Sequence, residues 1–458
     1  MVIIDRVGAA LRAKVPAADV TPRTDGRPTE SSSSLVAEFA ISGFLGSALM
    51  GIGALSVGFA APSSGIPTAP VLETLRLTAG WAVLGWITVV LGVAVLLQAW
   101  LRLGHHVRTA SVVNPHQLLR LMWLWALPLF LTPVMFSRDI FSYISASRML
   151  SAGLDPYTNG TIDLPWTNDG ADAFWVGSPS PYGPLWVGLS SGVFHITGAS
   201  AIPSLLAFRL LALAGVALLA VYLPRLAALC GVDAAKVIWL GLLNPLVLMH
   251  FVSAGHNDAL MLGLLVAGMT IALEGKFVIG TLLVVLAGAI KAPALLGLPF
   301  VAMAWPGADA SLGGRVWSWV KVTVLALIAF VALNLAIGLD FGWISALSTP
   351  GEVRTWLSPV TALGMIGGIL GELLGSANFD DGSVAVLRAL GAAVALTVVA
   401  LLAFVCDRRT APRALGLALL VVVVLGATVQ PWYLMWSLLI LVAAGLSANE
   451  TRVAVILS

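Results

Sequence analysis

The sequence predicts an all-α polytopic membrane protein, a bundle of about 12 to 14 transmembrane or re-entrant helices with one large outer loop. Three observations carry the helical membrane reading. Mean hydropathy is +0.98, and 59% of the 458 residues are hydrophobic. Charged residues make up 10%, against about 25% in a soluble domain, which is too few to cover a water-facing surface. Apolar runs of the ~20 residues needed to cross a bilayer recur along most of the chain and leave little for a separate soluble domain.

In chain order, residues 1–34 are polar and carry Arg6, Arg12, Lys14, Arg23 and Arg27 against four acids before a Ser run. They predict a disordered cytoplasmic tail, since no apolar core follows the first charges closely enough for a secretory signal. Spans are expected at 36–60 and 78–101. The connection after them holds Arg102, His105, His106, Arg108, His116 and Arg120 with no acid, which places it in the cytoplasm. The run 118–135 therefore leads outward and stops at Arg138-Asp139. An outer loop, 138–184, follows with Asp155, Asp163, Asp169 and Asp172. Within it, 144–150 reads as amphipathic turns at the interface, with Arg148 available to lipid headgroups.

Apolar helices resume at 185, 204–223 and 237–252. Polar residues 253–259 interrupt the pattern before 260–273. Residues 277–304 contain Lys291-Ala292-Pro293, and a helix-interior Pro costs about 3 kcal/mol, so a break is expected at Lys291. Further runs cover 317–337, 360–374, 384–405, 414–429 and 432–445; those at 185–196, 294–304 and 360–374 are short enough to be broken or re-entrant. Residues 35–448 form a single transmembrane domain in this reading, and 449–458 a C-terminal tail. Cys230 and Cys406 sit near helix ends placed in the cytoplasm, which argues against a disulfide, and their pattern lacks metal spacing. The net charge of +2 is spread over short loops and suggests no nucleic-acid partner.

Ionisable groups at a membrane edge cost several kcal/mol unless paired or hydrated, and so mark candidate sites. Four clusters qualify: Arg138-Asp139, His256-Asn257-Asp258, Lys291, and Gln430-Pro431-Trp432-Tyr433. With the orientation above, all four reach the same outer face. Asp139 is either a solvated interface residue beside Arg138 or a general base. Asn257 and Asp258 either cap the helix that starts at Ala259 or bind substrate, and His256 is either a satisfied interface residue or part of the same site. Lys291 either snorkels to headgroups or meets a phosphate. Trp432 and Tyr433 belong to an aromatic belt or pack on a sugar or isoprenoid. Tyr157 and Tyr182 shape the outer loop or join the site. No Walker loop, dinucleotide fingerprint, metal spacing or nucleophile elbow is present, so no cofactor is predicted.

These residues resemble a known family. Asp139 after an early outward helix, then Gly153-Leu154-Asp155-Pro156-Tyr157 and Ser180-Pro181-Tyr182-Gly183-Pro184-Leu185, are similar to the multi-spanning GT-C glycosyltransferases. His256-Asn257-Asp258-Ala259, Lys291-Ala292-Pro293 and Gln430 to Tyr433 narrow the likeness to one branch, the actinobacterial polyprenyl-phosphate-mannose-dependent α-1,6-mannosyltransferases of lipomannan backbone synthesis. The resemblance covers about 36–445. It implies a polyprenyl-phosphate-mannose donor, a lipid-anchored mannoside acceptor and an extracytoplasmic site in the cell membrane. The family's catalytic carboxylate falls on Asp139. Many members place this Asp after the first helix beside a second acid; here two helices precede it and its neighbour is Arg138, which favours a metal-free mechanism.

The expected chemistry is inverting displacement. Asp139 deprotonates the acceptor 6-hydroxyl, Arg138 or Arg148 with Lys291 holds the donor phosphate, and His256, Asn257 and Asp258 bond a sugar. Two other readings stay open: a lipid or sugar transporter such as a flippase, and a GT-C transferase of another sugar such as arabinose.

Overall fold

The computed structural model describes residues 2–13, 30–109, 114–164, 169–198, 200–306, 311–375 and 379–458. Among them every regular element is helical, and β-type pairing is limited to an isolated bridge between Phe59 and Val134. The first helices are α1 (Val2–Ala13), α2 (Glu30–Val57), α3 (Pro70–Leu77), α4 (Ala79–Thr109) and α5 (Pro115–Leu131). The outer loop carries α6 (Asp139–Ala146) and ends at α7 (Pro184–Thr197). Then come α8 (Ala201–Leu229), α9 (Ala234–Val237), α10 (Asp258–Leu273), α11 (Phe277–Gly288), α12 (Gly297–Ala304) and α13 (Leu312–Ile337). The last third holds α14 (Trp343–Ala346), α15 (Pro359–Leu373), α16 (Phe379–Val405), α17 (Ala411–Val424), α18 (Leu434–Ala444) and α19 (Ala448–Ile456).

Five of these, α2, α4, α8, α13 and α16, are long and apolar enough to cross a bilayer alone. The protein is thus an all-α polytopic membrane protein. Several of the other apolar runs are half-length helices: α10, α11, α15, α17 and α18 have 16 residues or fewer. Small residues spaced seven apart, Gly46 and Gly53 on α2 and Gly85 and Gly92 on α4, bring those two backbones into contact.

The apolar stretch 237–252 is not one helix. Two π-helical pieces, Ile238–Leu242 and Val247–Ser253, meet near Pro245, and the broken span is bent by 63°. Pro cannot donate the helix hydrogen bond, and wide i→i+5 turns absorb the misfit. The first piece is tied to α4 by a reciprocal pair, in which the Trp100 indole N–H donates to the Trp239 carbonyl and Trp239 returns the bond, each at 2.9 Å.

Three expectations change. Residues 2–13 form helix α1 rather than part of a disordered tail, and its Leu11 is buried in the main core; 14–29 lie outside the described residues. Asp139 does not end the third helix. That helix stops at Leu131, before Thr132-Pro133, and Asp139 opens the separate helix α6. Residues 144–150 are not an exposed interfacial turn: Ile140, Phe141, Tyr143 and Ile144 are buried, and Arg148 is 3% exposed. The apolar face of α6 has four aromatic or aliphatic side chains to bury, and α7 and α8 supply Trp186 and Phe208 against Tyr143.

Basic and polar termini separate to opposite ends of the bundle. One end joins Arg102 to Glu38, Arg225 to Glu274 and Arg413 to Glu450. The other end carries the 138–184 loop and opens into a cavity that reaches down to the Lys291 break and the 426–433 turn, with the 253–258 turn behind its wall.

Candidate active site

The cavity has a volume of about 680 Å³. Its floor depends on where the short helices stop. Gly215, at the midpoint of the 29-residue α8, sits so close to Ala259 that an added Cβ would lie 2.2 Å from the Ala259 carbonyl carbon. At 1.5 Å per residue, the start of α10 therefore lies about 22 Å from either end of α8. Asp258 opens α10 at this depth, buried completely.

Two charged side chains line the cavity among the described residues, Asp139 and Lys291. Lys291 occupies an extended link between α11 and a 3₁₀ turn that starts at Ala292-Pro293 (φ −149°, ψ 122°), so the expected break is present. Its side chain is 13% exposed, and Nζ donates to both oxygens of Asp258 at 3.0 and 2.9 Å. An ammonium has three donors, so one N–H is left for the cavity. Asp258 also accepts the Trp436 indole N–H at 2.6 Å. The Lys291 ammonium lies 4.9 Å from the Tyr433 ring centroid and 5.4 Å from that of Trp436, within cation–π range.

Asp139 has a parallel arrangement. Its side chain is 22% exposed, and Oδ2 lies 3.4 Å from Nδ1 of the fully buried His256. His256 stacks on Trp432 with ring centroids 3.9 Å apart. Neither ring nitrogen of His256 makes a fully formed hydrogen bond to a described residue. Burial pushes the Asp139 carboxyl up, but its interaction with His256, the charges of His256 and Lys291 and the Ser137 hydroxyl outweigh that, so the group sits below its ordinary value. It is a carboxylate throughout the physiological range.

Between them, Asn257 Oδ1 accepts the Tyr143 hydroxyl at 3.3 Å, and the Tyr143 ring meets Tyr182 edge to face. The run His256-Asn257-Asp258 thus lies behind the cavity wall. His256 backs Asp139, Asn257 backs Tyr143 and Asp258 backs Lys291. The sequence expectation that these three bond a sugar directly does not fit their burial, since all three are inaccessible to solvent.

Two features fix this strip. Arg209, buried on α8, donates to the carbonyls of Phe130, Thr132 and Ser253, all at 2.7 Å, and so joins the end of α5 to the end of the π segment. Gly255 has φ +69° and packs so tightly that a Cβ there would lie 2.7 Å from Ile140 of α6. Just upstream of Asp139, Phe136 adopts φ +69°, the one non-glycine residue in positive φ among the described residues. That conformation costs roughly 1–2 kcal/mol, and its ring contacts His250 beneath His256.

Of the other expected residues, Tyr182, Trp432 and Tyr433 line the cavity, and Arg138, Arg148 and Tyr157 do not. Arg138 donates from Nε to the Gly170 carbonyl at 2.9 Å and lies over Phe59. Arg148 is buried beside Asp169, which leaves its guanidinium away from headgroups. Tyr157 packs with Trp343 and Ala289 in a separate core cluster.

The sequence reading missed Trp436 and the roof. Trp436 lies three residues after Tyr433, one helical turn along the same face, and that spacing was the available signal. The roof comes from 347–351, which has no ionisable residue to flag it. Thr349 donates to the Pro179 carbonyl at 3.2 Å, Ser178 to Glu352 at 3.0 Å, and Arg388 to the carbonyls of Gly351 and Val353.

A cavity sunk among membrane helices, where the described residues offer one carboxylate opposite an ammonium and an aromatic shelf, suits a membrane-embedded glycosyltransferase. Comparison with known proteins gives the same class and narrows it. Residues 40–307 match the family model described as the N-terminal domain of alpha-(1->6)-mannopyranosyltransferase, and 360–458 match the MptB C-terminal domain. The chain belongs to the alpha-(1->6)-mannopyranosyltransferase family and is a glycosyltransferase. It is 34% identical to a relative of that name from Mycolicibacterium smegmatis, over 88% of this chain and 78% of the relative. It is 32% identical to an alpha-(1->6)-mannopyranosyltransferase of Mycobacterium tuberculosis, over 91% and 80%. A further one from that organism, alpha-(1->6)-mannopyranosyltransferase A, is 31% identical over 90% and 81%.

Proposed function

We propose that this chain transfers mannose from polyprenyl-phosphate-mannose to a lipid-anchored mannan acceptor, forming α-1,6 linkages by inversion at the extracytoplasmic face of the cell membrane. The observation that carries the mechanism is the charge inventory of the cavity among the described residues, one carboxylate and one ammonium. A single displacement needs one base and one group to receive the leaving phosphate. A double displacement would need a nucleophile as well.

Asp139 takes the proton of the acceptor 6-hydroxyl. The oxygen forms its bond to the anomeric carbon from the face opposite the phosphate. The bond from that carbon to the phosphate oxygen breaks, and polyprenyl phosphate departs with the electron pair. Lys291, held by Asp258, faces the charge that builds on the phosphate. Arg138 and Arg148 are turned elsewhere, so Lys291 carries this role alone among the cations first considered. The arginines gathered at the opposite end of the bundle support an outward-facing cavity.

The test is transfer of labelled mannose by the purified chain in detergent, with linkage analysis of the product. Asp139→Asn keeps the side-chain shape and should lower turnover by ~10²–10⁴-fold while leaving the protein folded. Near-normal turnover by that variant removes Asp139 from the reaction. Polar groups beside broken helices at half depth also suit a transporter. Product made in detergent, where no membrane separates two compartments, decides for the enzyme.

A further inference from the structure

At the end of the bundle remote from Asp139, a second cavity of about 520 Å³ opens where the termini of several helices meet. Three basic side chains from three elements line it: Arg108 from the last turn of α4, Lys236 from α9 and Arg452 from α19. Its one acid, Asp233, is already engaged, since Oδ1 accepts the Ala235 N–H at 2.9 Å as the cap of α9. Trp239 and Leu446 contribute an apolar wall.

Three arginines of this end are neutralised by acids. Arg102, Arg225 and Arg413 each have a glutamate partner within 2.7 Å. Lys236 and Arg452 have no ion-pair or hydrogen-bond partner among the described residues, and Arg108 is held over the Trp239 ring at 5.4 Å with only the Gly104 carbonyl to bond. The wall is anchored from behind. Ser447 and Glu450 form a capping box on α19, Arg413 pairs with Glu450, and Asn244 donates to the Ser458 hydroxyl at 2.6 Å. A concavity whose rim carries cations without an acidic partner among the described residues, and whose wall carries carbon, is complementary to a phosphate carried on an apolar body.

We infer that the Arg108–Lys236–Arg452 pocket binds a phosphate-bearing anion, supplied either by a phospholipid headgroup or by a soluble phosphate. Neither source takes part in the transfer reaction, because the pocket and the Asp139 cavity lie at opposite ends of the helices. The guanidinium of Arg108 presents a fork to two phosphate oxygens, and Lys236 and Arg452 close on the remainder.

The experiment uses the full chain, delipidated in detergent. Native mass spectrometry measures retention of phosphatidylglycerol against phosphatidylcholine of the same acyl chains, and a thermal-shift titration measures protection by inorganic phosphate. Lys236→Gln/Arg452→Gln should weaken binding of the anionic ligand by ~25-fold, about fivefold per charge. Arg102→Gln/Lys276→Gln removes two charges from the same end outside the pocket and should leave binding unchanged. Anionic-lipid retention without phosphate protection identifies a headgroup as the source; protection by phosphate that the pocket variant loses shows that the free anion suffices. Equal retention of the two lipids with no phosphate protection overturns the proposal, as does an equal loss in both double variants.

Discussion

The long helices and the enclosed short ones, α10 and α18, handle polarity in opposite ways. On α4, α13 and α16, side chains such as Leu91, Leu327, Ile328 and Leu396 are exposed and apolar, as lipid contact demands. On α10 and α18 nearly every residue is buried, and their first residues meet the polar turns of the cavity. A helix that faces lipid must keep its backbone bonds across the whole apolar layer, whereas one enclosed by protein can stop halfway and open into water. The cavity therefore occupies the half left open by the inner helices α10 and α18, while α2, α4, α8, α13 and α16 are long enough to span the membrane in full.

The sharpest way to break this contrast is at the buried pair under the cavity. Lys291→Met leaves Asp258 buried without its cation and should cost about 3–5 kcal/mol of stability, read as a lower melting temperature, together with most of the activity. Lys291→Met combined with Asp258→Leu should recover most of the stability and none of the activity. Recovery of both would mean that Lys291 serves folding and not the leaving phosphate.

The seam between the two helix classes comes next. Gly215→Val drives a side chain into the Ala259 backbone and should destabilise by roughly 1–3 kcal/mol or prevent folding, while Gly215→Ala should show a smaller loss in the same direction. Indifference to both would show that α8 and α10 are not in close contact.

A smaller effect separates lining from backing. Because Asp139 sits below its ordinary value, the acid limb of the rate profile should lie below the usual carboxylate range, with activity lost as pH falls through it. His256→Gln removes the leading influence that lowers the group and leaves burial to push it up, so the limb should move to higher pH. A limb that stays in place would assign the titrating base elsewhere. The smallest change is expected at the perimeter, where Leu91→Ala on α4 should alter stability by less than about 0.5 kcal/mol.

Much of this site was legible in the sequence because charge is expensive in an apolar chain. Asp139, Lys291, Trp432 and Tyr433 stand out against their neighbours, and the prolines that mark the breaks are explicit letters. Direction was not legible. Arg138 and Asp139 are adjacent, yet one turns to Gly170 and Phe59 and the other to the cavity, because α6 begins between them. The same limit hid the difference between a residue that lines the cavity and one that supports it from behind, as in His256 to Asp258. Residues 2–13 are mostly apolar inside a stretch, 1–34, that is polar as a whole, and Leu11 has a core to join only once the distant helices are assembled.

Arg209 bears on how such a chain is made. Its guanidinium must enter the membrane in the middle of an apolar segment, and two of its three carbonyl partners, Phe130 and Thr132, have already left the ribosome by then. The third, Ser253, is synthesised 44 residues later. Insertion of α8 therefore has electrostatic support from earlier sequence, and the arrival of the later segment completes the coordination and sets His256 beside Asp139. On this order the contact between His256 and Asp139 forms only after α8 is in place, and a nascent chain truncated before Ser253 should already be integrated in the membrane.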